Sequence, residues 1–152
     1  MICFRLIEAV PGRSALGYGM APARWDLFGT PIIYGASVSS LNFLELLSIK
    51  GHSVTQSRWK LVELEITDPI PELDPYSLSP DWKNRPHPHS TQEFGTQWAK
   101  SMISPALKVP TCRIPLYRYP DEYNVLINPF HPDFLNHIKV IKEWDATFEV
   151  NS

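Results

Sequence analysis

Apolar positions recur along this chain with two different periods, and the two alternate without a fixed order. Residues 2–10, ICFRLIEAV, read as a strand with Arg5 in its middle. Residues 11–30 are so rich in Gly and Pro that only loop and turn structure suits them. PIIYGA, residues 31–36, is a short apolar strand carrying Tyr34 near its end. Ser37 then stands where a helix N-cap belongs, with Ser40 and Leu41 in the first turn. Val38, Leu41, Leu44 and Leu47 or Ile49 fall near helical spacing and predict an amphipathic helix. Residues 59–67 alternate cleanly, with Val62, Leu64 and Ile66 on one face and Glu63 and Glu65 on the other, as in a half-buried strand.

Residues 68–90 form a proline-rich stretch with no apolar period, long for a compact domain, which marks a functional loop or a partner surface. A helix is expected over 91–103, strands over 106–115 and 123–128, a short helix in HPDFLNHI, and one or two strands over 138–150. Helices and strands mix without regular β-α-β alternation. One α+β domain spanning residues 1–152 is the expected architecture.

Composition narrows the function classes. The 152 residues suffice for a buried core, and 43% hydrophobic content with 12% aromatics excludes disorder. Fifteen prolines, about twice the usual share, predict short elements joined by extended loops. The net charge is −2 and no Lys/Arg run is present, so direct nucleic-acid binding is not expected. Cys3 and Cys112 lack the spacing of a zinc site or a disulfide framework and read as reduced, packed thiols. The start of the chain lacks the pattern of a signal peptide, and no segment reaches the length of a membrane span, so a cytoplasmic location is expected.

Candidate chemistry is dispersed. Arg24, in APARWDLFG, could present its planar fork to a pyrophosphate or carboxylate, or simply pack on Trp25 or pair with Asp26. Tyr34 could stack on a flat ring. Glu45 stands among leucines, either as a solvated helix glutamate or as a carboxylate held beside a sugar cation. Asn128, before Pro129, is biased towards extended backbone. The His87-Pro-His89 pair has no acidic cluster beside it, and no metal site is expected. Walker A, dinucleotide-fold glycine and nucleophile-elbow motifs are absent.

In order, however, these features form one pattern: Arg5; Gly17 and Gly19; Arg24-Trp25 with Gly29; Tyr34; Glu45; Asp81-Trp82; Gly95 and Trp98; Val109-Pro110-Thr111; and the segment from Asn124 through Asn128-Pro129 and His131-Pro132-Asp133-Phe134. That succession, over nearly the whole chain, resembles the RES-domain family, and its last segment is the most specific part. Two positions depart from the family pattern. Asp26 stands where an asparagine is usual, and Thr111 replaces the namesake serine, keeping the hydroxyl while adding a methyl that stiffens χ1. These departures bear on the strength of an activity more than on its type.

The resemblance implies a fold similar to ADP-ribosyltransferases, with a mixed, mostly antiparallel sheet. It implies that NAD⁺ is a substrate, not a cofactor, cleaved at the nicotinamide–ribose bond with water, phosphate or a protein side chain as acceptor. In that scheme Glu45 stabilises the ribosyl cation, as carboxylates do in glycoside cleavage. Arg5 and Arg24 hold phosphate groups, Tyr34 stacks on nicotinamide or fixes its ribose, Thr111 supplies the hydroxyl, and Asn128 joins the NAD⁺-binding set. The resemblance further implies a toxin that assembles with an Xre-type helix-turn-helix antitoxin, through which alone it would meet DNA. A protein ADP-ribosyltransferase, and a weakly active RES domain acting as a binding partner, are the competing readings.

Overall fold

A computed structural model describes residues 1–67 and 69–151. Six strands make a single sheet: β1 (Ile2–Glu8), β2 (Ile33–Ala36), β3 (Trp59–Ile66), β4 (Ala106–Val109), β5 (Asn124–Ile127) and β6 (Ile138–Ala146). Their order across the sheet is β4-β5-β2-β1-β3-β6, and each of these pairings is antiparallel. An isolated bridge between Glu72 and Lys108 adds a parallel contact. Helices α1 (Ser39–Lys50), α2 (His89–Ser101) and α3 (Phe134–His137) complete the α+β arrangement.

The period of two along the strands separates two apolar clusters. In β5, Val125 and Ile127 join one cluster with Cys3, Val62 and Leu64, whereas Leu126 joins the other with Trp25, Trp82 and Trp98. Ile33 and Tyr34 divide in the same way along β2. The alternation expected in β3 holds: Val62, Leu64 and Ile66 are fully buried, and Glu65 is exposed. At the edge, β6 exposes seven consecutive residues from Lys139 to Asp145, and its charged side chains discourage further strand pairing.

Several expectations are corrected. Ser37 does not cap α1; Val38 holds the cap position without a side-chain cap bond. The Ser37 hydroxyl instead accepts the Tyr123 amide at 3.0 Å, and the Ser37 amide donates to the Tyr123 carbonyl at 2.9 Å, so tertiary pairing takes the side chain away from the helix. The apolar stripe of α1 is not its packed face. Leu41 alone is buried, Leu44 and Ile49 are exposed, and Leu46 and Ile49 border a cavity, because this helix covers an open site as well as core. The strand expected over 106–115 ends at Val109, where Pro110 has no amide to continue the ladder. Helix α2 starts two residues earlier than expected, at His89.

Within 68–90, of which residue 68 lies outside the described residues, the chain is ordered by local turns and by packing. Leu73 and Trp82 are buried, and a 3₁₀ turn spans Pro75–Ser77.

Helix α2 clamps the loop that follows β1. The Gln92 amide donates to the Ala23 carbonyl at 3.0 Å, and the Thr96 hydroxyl accepts the Leu27 amide at 3.0 Å. Between these two bonds Gly95 lies against the backbone of Trp25, so closely that any β-carbon would overlap the Trp25 carbonyl. One turn on, Trp98 is buried and its indole N–H donates to Ser104 Oγ at 3.2 Å. The Gly-x-x-Trp spacing thus combines a close approach with an aromatic anchor.

Gly95→Ala is expected to destabilise the fold by about 1–3 kcal/mol through overpacking. Urea unfolding would show this as a lower midpoint with an unchanged slope.

Candidate functional site

A cavity of about 330 Å³ opens beside α1 and is lined by residues from β1, β2, α1, the Arg24 loop, the 85–87 segment and the turn after β4. Arg5, Arg24, Tyr34 and Glu45 all border it. Four candidates separated along the chain are therefore brought to one place.

Glu45 is tied to Thr111. The threonine hydroxyl donates to Glu45 Oε1 at 2.7 Å and accepts the Arg113 amide at 3.1 Å. Thr111 is buried immediately after Pro110 ends β4. Its single donor and one of its two lone pairs are used, which fixes the hydroxyl rotor and with it one oxygen of the carboxylate. Threonine in place of serine keeps the hydroxyl that makes this bond.

Arg24 meets partners that its local sequence did not suggest. Its Nη1 donates to the Trp82 carbonyl at 2.6 Å and to the Asn84 carbonyl at 3.3 Å, which anchors the 82–84 segment to the loop. The guanidinium still borders the cavity. Pairing with Asp26 does not occur. Asp26 is buried and accepts a hydrogen bond from the Tyr34 hydroxyl. Burial pushes the Asp26 carboxyl up to about 6, partly opposed by the hydrogen bonds from Tyr34 and the Ala23 backbone. The Tyr34 phenol is driven well above its ordinary value, first by burial and then by the Asp26 charge, so it remains a donor.

Arg5 holds the loop. Its Nη1 and Nη2 donate to the Ala15 and Gly17 carbonyls at 2.6 and 2.7 Å. Burial, and secondarily Arg13, lower its pKa to about 10, which leaves it charged at neutral pH. Asn128, expected in the NAD⁺-binding set, does not border this cavity. It borders a separate, shallower cavity with Gly29, Met102 and Phe130. Its amide donates to the Ala99 carbonyl at 2.8 Å and its oxygen accepts the Phe130 amide at 2.9 Å, so it fastens the turn after β5 to the end of α2.

Other cavity residues escaped the sequence reading. Asn42 lies three positions before Glu45 and so shares its helix face. Its amide donates to the Phe4 carbonyl at 3.1 Å, while its Oδ1 is buried without a partner. Arg85, His87 and Arg113 also border the cavity. His87 drew attention only as half of a metal-like pair, and its companion His89 instead meets Glu93 at 3.2 Å on α2. No local pattern announced the arginines; Arg113 is marked only by its closeness to Thr111.

The RES domain family model matches residues 3–149. The chain belongs to the RES domain family. A protein named Toxin Res from Yersinia enterocolitica is 34% identical to this RES-domain chain over 136 residues, 88% of the chain and 86% of the relative. Another Toxin Res, from Photorhabdus laumondii, is 33% identical over 150 residues, 95% and 92% of the two chains. A Sphingobium protein named Prs ADP-ribosylating toxin is 33% identical over 125 residues, covering 79% and 74%. Among solved structures, a chain of the MbcT–MbcA toxin–antitoxin complex of M. tuberculosis matches with a TM-score of 0.73, over 96% of this chain and 84% of that one, at 16% identity. The RES-domain chain thus shares the α+β fold of that chain, with an antiparallel sheet as its motif order implied. Among the described residues, no helix is long and apolar enough to cross a membrane.

The raised Asp26 pKa has a consequence for stability. Between the unfolded value near 4 and the folded value of about 6, the native state retains a proton that the unfolded chain has lost. Stability attributable to this group is therefore full below pH 4 and falls as pH rises through 6. Asp26→Asn keeps an acceptor for Tyr34 and removes the titration. The variant should gain on the native protein by about 2 kcal/mol between pH 4 and pH 7, read from urea midpoints at each pH.

Proposed function

We propose that this RES-domain toxin consumes NAD⁺ by breaking the bond between nicotinamide and ribose. The single observation that carries the reading is the Glu45 carboxylate, held by Thr111 at 2.7 Å in a cavity that Arg24 and Tyr34 also border. Nicotinamide already carries positive charge in NAD⁺ and leaves with the bonding electron pair, so no general acid is needed. The barrier is the charge that develops on the ribose. A carboxylate oriented beforehand stabilises that cation without having to reorganise during the reaction, an effect worth about 3–4 kcal/mol for a well-placed group.

The remaining lining residues have matching tasks. Arg24 supplies a guanidinium for the phosphates, and Tyr34 offers a ring face and a hydroxyl oriented by Asp26. Water attacking the ribosyl carbon and losing a proton gives ADP-ribose. Phosphate attacking through oxygen gives ADP-ribose 1″-phosphate. Both acceptors are consistent with an open site; neither requires a metal or a resident cofactor.

A second reading, transfer of ADP-ribose to a protein side chain, is favoured by one observation: the Sphingobium relative is named an ADP-ribosylating toxin. It shares every step up to the acceptor. The MbcT–MbcA structure supports an antitoxin partner. We assign that partner to the Xre type on the motif resemblance, acting in the cytoplasm as a complex with the toxin, with DNA contacted only by the antitoxin.

NMR of NAD⁺ incubated with the purified chain, with and without phosphate, tests the reading. Stoichiometric nicotinamide release is expected, with the partner product identifying water or phosphate. Glu45→Gln should reduce the rate about 100- to 1000-fold at unchanged thermal stability, and Thr111→Val should reduce it less, by about tenfold, the loss expected for one hydrogen bond of about 1.4 kcal/mol. Nicotinamide release only on addition of a protein acceptor, with label on that protein, would select the second reading. Intact NAD⁺ with folded, antitoxin-free toxin, with and without phosphate and also after addition of the protein acceptor, would refute both.

A further inference from the structure

Three guanidinium-bearing residues, Arg24, Arg85 and Arg113, border the same cavity. Among the described residues the ion pairs join Arg13 to Glu8, His89 to Glu93, and Arg118 to Asp121 and Glu122; none engages these three arginines. Their charges sense one another. After burial, Arg85 and Arg113 are among the causes that lower the Arg24 pKa, and all three arginines add to the burial that lowers His87. Glu45 and Cys112 act on Arg24 in the opposite sense, but like charges gathered with no ion-pair partner among the described residues repel, and the arrangement is relieved by an anion.

A separate observation points to the same wall. His87 Nδ1 is buried and has no hydrogen-bond partner, although His87 lines the cavity. A buried polar atom left open in this way is uncommon in a folded protein and is satisfied when a ligand supplies the partner. Glu45, a carboxylate lining the same cavity whose charge acts on Arg24, is bonded to Thr111 and forms no ion pair with the arginines. Arg5 is a poorer phosphate ligand than its position suggests, because two of its nitrogens are committed to the Ala15 and Gly17 carbonyls.

We propose that Arg85, Arg113 and His87, together with Arg24, form a phosphate subsite that receives the pyrophosphate bridge of the dinucleotide substrate. The identity of that ligand rests on the NAD⁺ reading above, whereas the anion site itself rests on the converging side chains. Guanidinium forks match phosphate oxygens in two-point hydrogen bonds, and a neutral imidazole with Nδ1 protonated can donate a further one. The subsite divides the cavity's labour: Glu45 and Thr111 address the ribose that reacts, and the arginine wall holds the part of the substrate that does not.

The same chemistry would also hold free inorganic phosphate, and titration calorimetry in phosphate-free buffer separates the two sources. The probes are ADP-ribose, nicotinamide riboside and inorganic phosphate, each titrated into the native chain and into Arg85→Gln, Arg113→Gln and His87→Phe variants whose circular dichroism matches the native protein. The expected result is that each arginine variant binds ADP-ribose at least tenfold more weakly, His87→Phe severalfold more weakly, and nicotinamide riboside equally well. Arg113→Lys should lose less than Arg113→Gln. Weakening confined to inorganic phosphate, with ADP-ribose unchanged, would overturn the pyrophosphate assignment and give the wall to a free phosphate. Unchanged binding of both anions would overturn the subsite altogether. Because binding is read without turnover, weaker ADP-ribose binding in a protein that leaves NAD⁺ intact would remove the proposed reaction and retain this subsite.

Discussion

The contact between Gly95 and the Trp25 backbone is the constraint on which the site depends. A helix axis can approach another backbone this closely only where no β-carbon intervenes. The approach seats α2 on the irregular loop after β1, and the Gln92 and Thr96 hydrogen bonds on either side stop that loop from sliding. Arg24 and Asp26, immediately before and after Trp25, inherit their positions from it. From there the constraint spreads: Arg24 anchors the 82–84 carbonyls, and Asp26 orients Tyr34 on the facing strand. A loop with little regular structure thereby becomes a rigid wall.

The other side of the cavity is built by a different economy of contacts. Helix α1 carries Glu45 but buries only Leu41, so its placement relies on the strands beside it and on the Asn42 bond to the Phe4 carbonyl. The bond from Thr111 to Glu45 joins this helix to the turn after β4. Cooperation between two segments 66 residues apart makes the carboxylate geometry a property of the whole sheet. It also explains why threonine serves at a position where the family pattern has serine: the hydroxyl is what joins the two walls.

Electrostatics at the site run against stability. A buried carboxyl at Asp26 and a group of arginines that form no ion pair among the described residues both work against stability. Such groups persist where a ligand or a reaction repays them, and the clusters around Trp25 and Val125 supply the packing that tolerates them. The same reasoning sets Asn128 apart. Its amide nitrogen and its oxygen are both bonded within the chain and fasten the turn after β5 to the end of α2.

Local pattern was enough to place β3, because alternation of Val62, Leu64 and Ile66 with Glu63 and Glu65 states directly which side faces the core, whereas the run Val125-Leu126-Ile127 is buried on both faces and the strand expected over 106–115 stops at Val109. Motif order was enough to determine the family and to single out Arg24, Tyr34, Glu45 and Thr111. Helix boundaries were less legible, since Ser37 has the chemistry of a cap but is drawn into pairing with Tyr123, and the leucines of α1 have the spacing of a core face but border a cavity. The partners of the buried polar groups, the gathering of Arg85 and Arg113 with Arg24, and the separation of Asn128 from the site were decided only by the tertiary structure. Each depends on long-range approach between segments that carry no mark of one another, and it is the sheet order and the α2 clamp that bring them together.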